Sequence, residues 1–418
     1  MRRMSDGAIM VCLLVLGGCA ATPLRAEVPA PALPRSTAID TSGTFAKGFS
    51  RDEALRLLEL CLNLNNPDDG PAYAADTSAW DPIYPDAADK PADVLGPWQN
   101  AWKLWRSKTE AKTYAMVIRG TMEKETSIIE DVIATSVAQP TRMQAWPSGY
   151  LNFTLAQLPG SETHLGFTYG LAALLYARDK GVLAELALHV PQGSKIYITG
   201  HSQGAAIAAL LHAFLHYAIN DPADRYHLAN QSYSLKSYFF AQPKPGNWQF
   251  GMDFASIASS HGTSFAVNNA SDWVTQVPLT VQFLDEPGSD LIVQLNQSAQ
   301  KRGKVLEFDA LKLAIHSAEN AVDAAKAARA LFAASTEDHT LTALQREPGL
   351  LDQQWMTPGN AMMPAAFSIN YVGVGNVVPV FGSGPCVLLT PAGPTGDPLC
   401  QHHLPTYRAL MKAQLSGP

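Results

Sequence analysis

Between Lys195 and Ala218 the chain reads KIYITGHSQGAAIAALLHAFLHYA, and this stretch constrains the fold more than any other. Lys195 to Thr199 alternates in the manner of a strand. After Gly204, AAIAALLHAFLHYA consists of strong helix formers with an apolar face. Ser202 therefore stands between two glycines where a strand gives way to a helix. Glycine tolerates the sharp turn that a side chain would obstruct, and the helix N-terminus favours a developing negative charge. A Gly-x-Ser-x-Gly match alone settles little, but this context is what an exposed nucleophile on a tight bend requires.

The neighbouring segments repeat the alternation of strands and helices. TYAMVIRGT, Thr113 to Thr121, reads as a buried strand ending in Gly-Thr, and THLGFTYGLAALLYARDKGVLAEL, from Thr163, as a turn and a long helix. YSLKSYFFAQPKPGN is a strand broken by proline and glycine, and SFAVNNASDWVTQVPL is a strand running into Asp272. Such alternation implies an α/β fold with a mainly parallel sheet and helices on both faces.

Five blocks in order resemble the class 3 lipase family, the α/β-hydrolases that include fungal triacylglycerol lipases. VIRGT resembles the family's Arg-Gly-Thr/Ser strand end, and THLGF its His-x-Gly-Phe block. TGHSQGAA resembles the Gly-His-Ser-Leu-Gly-Gly-Ala elbow, departing from it at Gln203 and Ala205. AQPKPGN and NNASDWVTQVP resemble the segments around the family's acid, and HHLPTYRAL its His-x-x-x-x-Tyr terminal helix. The likeness runs from about Thr113 to Leu410, and residues 284–380 share little with it.

A serine hydroxyl needs a base within hydrogen-bond reach, and the base a third group to hold its tautomer. In α/β-hydrolases the order is Ser, acid, His. Asp272 fits the acid by position and by the family block; its plain alternative is a turn cap. Four histidines follow it: His316 in an alanine-rich helix, His339 in an acidic turn, and the pair His402 and His403. The family's spacing to Tyr407 selects His402 over His403. His201 is an elbow residue rather than the base, with its side chain directed away from Ser202. The oxyanion donors are the backbone N–H of Gln203 and, by resemblance, that of Thr121, assisted by its hydroxyl. No cofactor is called for, and paired-histidine metal motifs such as His-Glu-x-x-His are lacking.

The first residues carry a secretory signal: Arg2 and Arg3, then an apolar run from Ala8 to Leu16, too short for the roughly 20 residues of a membrane span. Leu16-Gly17-Gly18-Cys19 resembles the bacterial lipobox, which implies cleavage before Cys19, its lipidation and membrane anchoring. Ala20, next to it, favours outer-membrane sorting by the same resemblance. Residues 19–45 form a Pro/Ala-rich tether, and residues 46–418 the hydrolase domain, with a helical insertion at about 284–380 before the catalytic histidine. Losing residues 1–18 moves the formal charge from −7 to −8. No basic stripe survives, which argues against nucleic acid as a partner.

Cys386 and Cys400 bracket a Pro/Gly-rich loop and are expected to pair in an exported chain, stabilising it by about 3 kcal/mol. Cys61 falls on the apolar stripe of a helix opened by the capping-box pattern Ser50-x-x-Glu53 and reads as a small buried hydrophobe. Ile128, Ile129, Val132, Ile133 and Val137 recur at helical spacing, which suits either a hinged flap or a helix docked on the sheet. Trp98, Trp102 and Trp105 are read as a helical aromatic cluster in the core, and the alanine-rich stretch 309–335 as a long cap helix. The function expected is hydrolysis of lipid or other carboxylic esters. The competing reading is a lipid-anchored scaffold that kept the fold without the chemistry. Oligomeric state, acyl preference and membrane face are not legible.

Overall fold

A computed structural model describes residues 45–65, 74–87, 92–93, 95, 100–119, 136–138, 142–146, 149–278, 280, 351–359, 370–382 and 399–415. All lie in one compact unit, Ile39–Pro418. Cys19, Thr121, the stretch 121–135, His316, His339, the cap helix and Cys386 fall outside the described residues.

The main sheet has seven strands in the order β1 (Trp80–Tyr84), β2 (Ala101–Ser107), β3 (Thr113–Arg119), β8 (Lys195–His201), β9 (Ser234–Phe240), β11 (Ser264–Asn269) and β14 (Asn376–Val380). From β3 to β14 all neighbours are parallel, and β1 and β2 add an antiparallel edge. Short strands form two smaller sheets: β4 (Ser136–Ala138), β7 (Glu162–His164), β10 (Gly246–Asn247) and β13 (Tyr371–Val372) in one, β5 (Arg142–Trp146), β6 (Gly149–Asn152) and β12 (Met356–Pro358) in the other.

The period-2 pattern of the strands divides the core in two. Met116, Ile118, Ile196, Ile198 and Phe239 pack with α2 (Leu165–Tyr176), α3 (Val182–His189), α4 (Gln203–Ile219) and α5 (Trp248–Ile257). Ala115, Val117, Tyr197, Tyr238 and Phe240 pack with α1 (Arg51–Asn65) and α6 (Leu404–Gln414). Helices thus cover both faces, as a sheet buried on both sides demands. The fold is that of an α/β-hydrolase. All twelve residues of α2 are buried and α4 exposes almost nothing, so α4 is buried around nearly its whole circumference rather than along one stripe.

Four expectations change. The stretch expected as one long helix from Thr163 is two, α2 and α3, separated at Gly181, where a Cβ would lie 2.5 Å from the carbonyl oxygen of Ala177. Trp102 and Trp105 belong to β2 rather than to a helix: an odd separation in a strand sends them to opposite faces, one into each core. Val137 lies in β4, so the helical spacing suggested from Ile128 does not reach it. The insertion cannot extend to 380, because β14 pairs in parallel with β11 along its whole length and closes the edge of the main sheet. Its Pro379 is tolerated because an edge strand leaves one row of amides unpaired.

Candidate active site

Strand β8 occupies the middle of the sheet and ends at His201, so Ser202 emerges at the carboxyl edge of the strands, where open α/β sheets place their ligands. Ser202 has φ +58° and ψ −135°, a conformation that costs an L residue about 1–3 kcal/mol. The bend is held by the Ser202 amide, which donates to the Phe240 carbonyl at 3.0 Å. Gly200 is obligatory beneath it, since a Cβ there would lie 2.4 Å from the Gly204 carbonyl oxygen and 2.8 Å from that of Ile118. Gln203, between Ser202 and Gly204, is the first residue of α4 and is buried.

Asp272 follows β11 through a turn in which its amide donates to the Asn269 carbonyl at 2.9 Å. Both of its carboxylate oxygens are engaged. Oδ1 accepts the Val274 amide at 3.0 Å, capping the 3-10 turn Trp273–Gln276, and Oδ2 accepts the Tyr407 hydroxyl at 2.8 Å. The turn-cap role and the carboxylate's contact with histidine therefore coexist on separate oxygens. Burial, and then the adjacent carboxylate, push the Tyr407 phenol well above its usual range, so it stays a donor.

His402 lies 2.8 Å from Asp272 Oδ2 through Nδ1 and 2.8 Å from Ser202 Oγ through Nε2. A carboxylate can only accept, so Nδ1 carries the proton and the Nε2 lone pair faces the serine hydroxyl. Asp272 is 1% and His402 5% exposed, whereas Ser202 is partly open. That gradient shields the His402–Asp272 hydrogen bond and leaves the serine hydroxyl accessible. His403 is instead the N-cap of α6; its carbonyl accepts the amides of Thr406 and Tyr407.

The turn bearing His402 is gripped on several sides. Its amide donates to the Leu399 carbonyl at 2.7 Å, and the Thr406 hydroxyl to the Cys400 carbonyl at 2.8 Å. Asn269 Nδ2 donates to the Gln401 carbonyl at 3.0 Å, while Asn269 Oδ1 accepts the amides of Gly382 and Ser271. His201 Nε2 lies 2.8 Å from the carbonyl oxygen of His402. The sequence marked Tyr407 only as a spacing landmark and passed over Asn269. Its place in the NNASDWVTQVP block, three residues before Asp272, was the available signal.

Ser202, Asp272 and His402 are thus brought together, Gln203 follows the serine directly, and Thr121, Cys19 and Cys386 lie outside the described residues. Among the described residues no group of three His, Cys, Asp or Glu side chains could hold a metal ion, and no helix is long and apolar enough to cross a membrane.

A mainly parallel sheet clothed by helices on both faces, with a serine on the strained bend after its central strand, defines an α/β-hydrolase. Residues 115–282 match the family described as Lipase (class 3). That match covers residues 115–282 and supports a carboxylic ester hydrolase. Among solved structures it is similar to a triacylglycerol lipase whose catalytic centre is described as a serine protease triad (20% identity over 56% of this chain and 77% of that one, TM-score 0.38). It is also similar to Rhizomucor miehei lipase in its propeptide complex (19%, 56% and 64%, TM-score 0.38) and to M37 lipase (17%, 63% and 80%, TM-score 0.38). Likeness at this level adds nothing to the assignment of residues. No curated protein matches the chain.

Proposed function

We propose that this chain hydrolyses lipid or other carboxylic esters through an acyl-enzyme on Ser202, with His402 as general base and Asp272 orienting it. The supporting observation is the row of two 2.8 Å hydrogen bonds joining the three side chains. Attack by Ser202 Oγ on the ester carbonyl passes the hydroxyl proton to His402 Nε2. The imidazolium, paired with Asp272, then protonates the leaving alcohol as the C–O bond breaks. Water repeats the sequence on the acyl-enzyme and releases the acid. The oxyanion is stabilised by the Gln203 N–H at the head of α4 and by Thr121; one such donor is typically worth about 100- to 1,000-fold in turnover. A Cys386–Cys400 disulfide would tie down the turn before the base, and lipidation at Cys19 would place the domain at the outer membrane, close to lipid substrate.

Protein lacking residues 1–18 should cleave p-nitrophenyl esters and be labelled covalently by a fluorophosphonate probe. Ser202→Ala should abolish both. Labelling that persists in Ser202→Ala assigns the nucleophile elsewhere, and folded wild type that neither labels nor turns over favours the scaffold reading.

A further inference from the structure

His201 precedes the nucleophile, yet it makes its contact 201 positions further along the chain. Its Nε2 lies 2.8 Å from the backbone carbonyl of His402, and its ring packs 4.7 Å from the His402 ring and 6.1 Å from that of Tyr407, centroid to centroid. A carbonyl has no proton to give, so Nε2 must be the protonated nitrogen of His201. Burial is the main reason that its pKa falls well below the usual histidine range, so it is neutral and the tautomer is fixed by this single bond. It lies mostly out of solvent, at 8% exposure.

The contact is a second tie, beside the 2.8 Å Ser202–His402 hydrogen bond, between the elbow and the turn that carries the base. The elbow belongs to β8, rigid at the centre of the sheet. The base sits on a turn between residue 399 and the start of α6, and a turn defines the position of a side chain less well than a strand does. Asn269, at the end of the acid's strand, holds the carbonyl of Gln401; His201, at the end of the nucleophile's strand, holds the next carbonyl, that of His402 itself. Two consecutive peptides of the base turn are thus fastened to the two strands that deliver its hydrogen-bond partners.

Building on the Ser202–His402–Asp272 reading, we propose that His201 is a positioning residue. By donating its Nε2–H to the His402 carbonyl, it sets the base at hydrogen-bond distance from the nucleophile. It exchanges no proton with the substrate in this scheme and acts through the peptide of the base. Its loss therefore affects proton transfer and leaves the ester-binding surface unchanged.

The test compares His201→Phe, which keeps a packed ring and loses the donor, with His201→Gln, whose terminal amide nitrogen reaches from Cβ about as far as Nε2 and restores it. Misplacement by an ångström can cost about 100-fold in rate. The expectation for Phe is thus a fall of about tenfold or more in kcat and in the fluorophosphonate labelling rate, with KM within about threefold of wild type. Gln should recover both rates to within about threefold. Should the Phe protein not fold, His201→Met provides the donorless arm and is read in the same way. The proposal is overturned if a folded donorless variant turns over within about twofold of wild type, or if Gln is as slow as that variant. A wild type that is itself neither labelled nor active overturns the hydrolase reading instead, so the two failures are distinct.

Discussion

The Tyr407 hydroxyl is the single atom that joins most of the buried polar network around the acid. It donates to Asp272 Oδ2 and accepts the Asn269 amide at 2.9 Å, connecting the helix after the base to the strand before the acid. Removing it leaves a buried amide without its partner and a carboxylate with one donor fewer. Tyr407→Phe is therefore expected to cost about 1–3 kcal/mol, read from urea unfolding, and to lower kcat while KM stays near the wild-type value. A comparable loss of kcat and rise in KM would instead indicate disturbance of the substrate surface. Cys61 shows the opposite kind of residue. Burial pushes its thiol up to about 12, and its sulfur sits 3.6 Å from Thr199 Oγ1, so it is an inert filler as its place on the apolar stripe implied.

At the scale of elements, α1 is attached to the sheet by more than its apolar stripe. The Glu53 amide donates to Ser50 Oγ at 3.3 Å, which is half of the expected capping box. The glutamate does not complete the other half. Its carboxylate is drawn into the sheet, where it accepts from Lys236 Nζ at 2.6 Å, the Tyr197 hydroxyl at 2.7 Å, the Tyr238 hydroxyl at 2.6 Å and the Phe45 amide. The Ser50 amide turns to Tyr238 instead, at 3.1 Å. Both ends of this ion pair are about 2% exposed or less. Removing one partner of such a pair costs about 3–5 kcal/mol, and the two sides are not equivalent here. Glu53→Leu leaves a buried ammonium with the Ala46 carbonyl but no counter-charge and takes the acceptor from two phenols, whereas Lys236→Met leaves the carboxylate three donors. Urea midpoints should fall further for Glu53→Leu than for Lys236→Met.

Helix α4 is pinned to the sheet in a pH-sensitive way: His212 Nδ1 lies 2.9 Å from Ser237 Oγ of β9, which donates in turn to Ser264 of β11. Burial lowers the His212 pKa from 6.5 to about 3. The unfolded chain therefore takes up its proton first as pH falls. Stability contributed by the neutral ring is complete above about pH 6.5 and declines from there toward about pH 3. Tm should drop more steeply across that window in the wild type than in His212→Asn, which keeps a polar atom near Nδ1 but does not titrate; equal slopes would remove His212 as the cause.

For the molecule as a whole, the legible parts were those in which one short segment carries its own context. The strand, bend and helix around Ser202, and Asp272 at the end of its strand, could be read because local periodicity and turn chemistry agree there. What escaped depended on partners remote in sequence. β14 is recognisable as part of the main sheet only beside β11, more than 100 residues earlier, and Trp102 and Trp105 look helical until β1 and β3 flank them. Asn269 and His201 looked like ordinary elbow and strand-end residues because their bonds reach the turn at 401–402. The proposed export signal is a third kind of case, a reading of residues 1–19 alone. It predicts that wild type partitions with membranes and that Cys19→Ser moves the catalytic domain to the soluble fraction; identical partitioning would discard the anchor.

Chain order has a consequence for biosynthesis. Ser202 and Asp272 are translated long before His402, and α6, which follows the base at once, supplies Tyr407 to one face of the sheet. On the proposed reading, Ser202 lacks its base until His402 has been made. The same reading makes reactivity await the docking of the turn at 399–403 and of α6, so its timing follows the order of the genetic message.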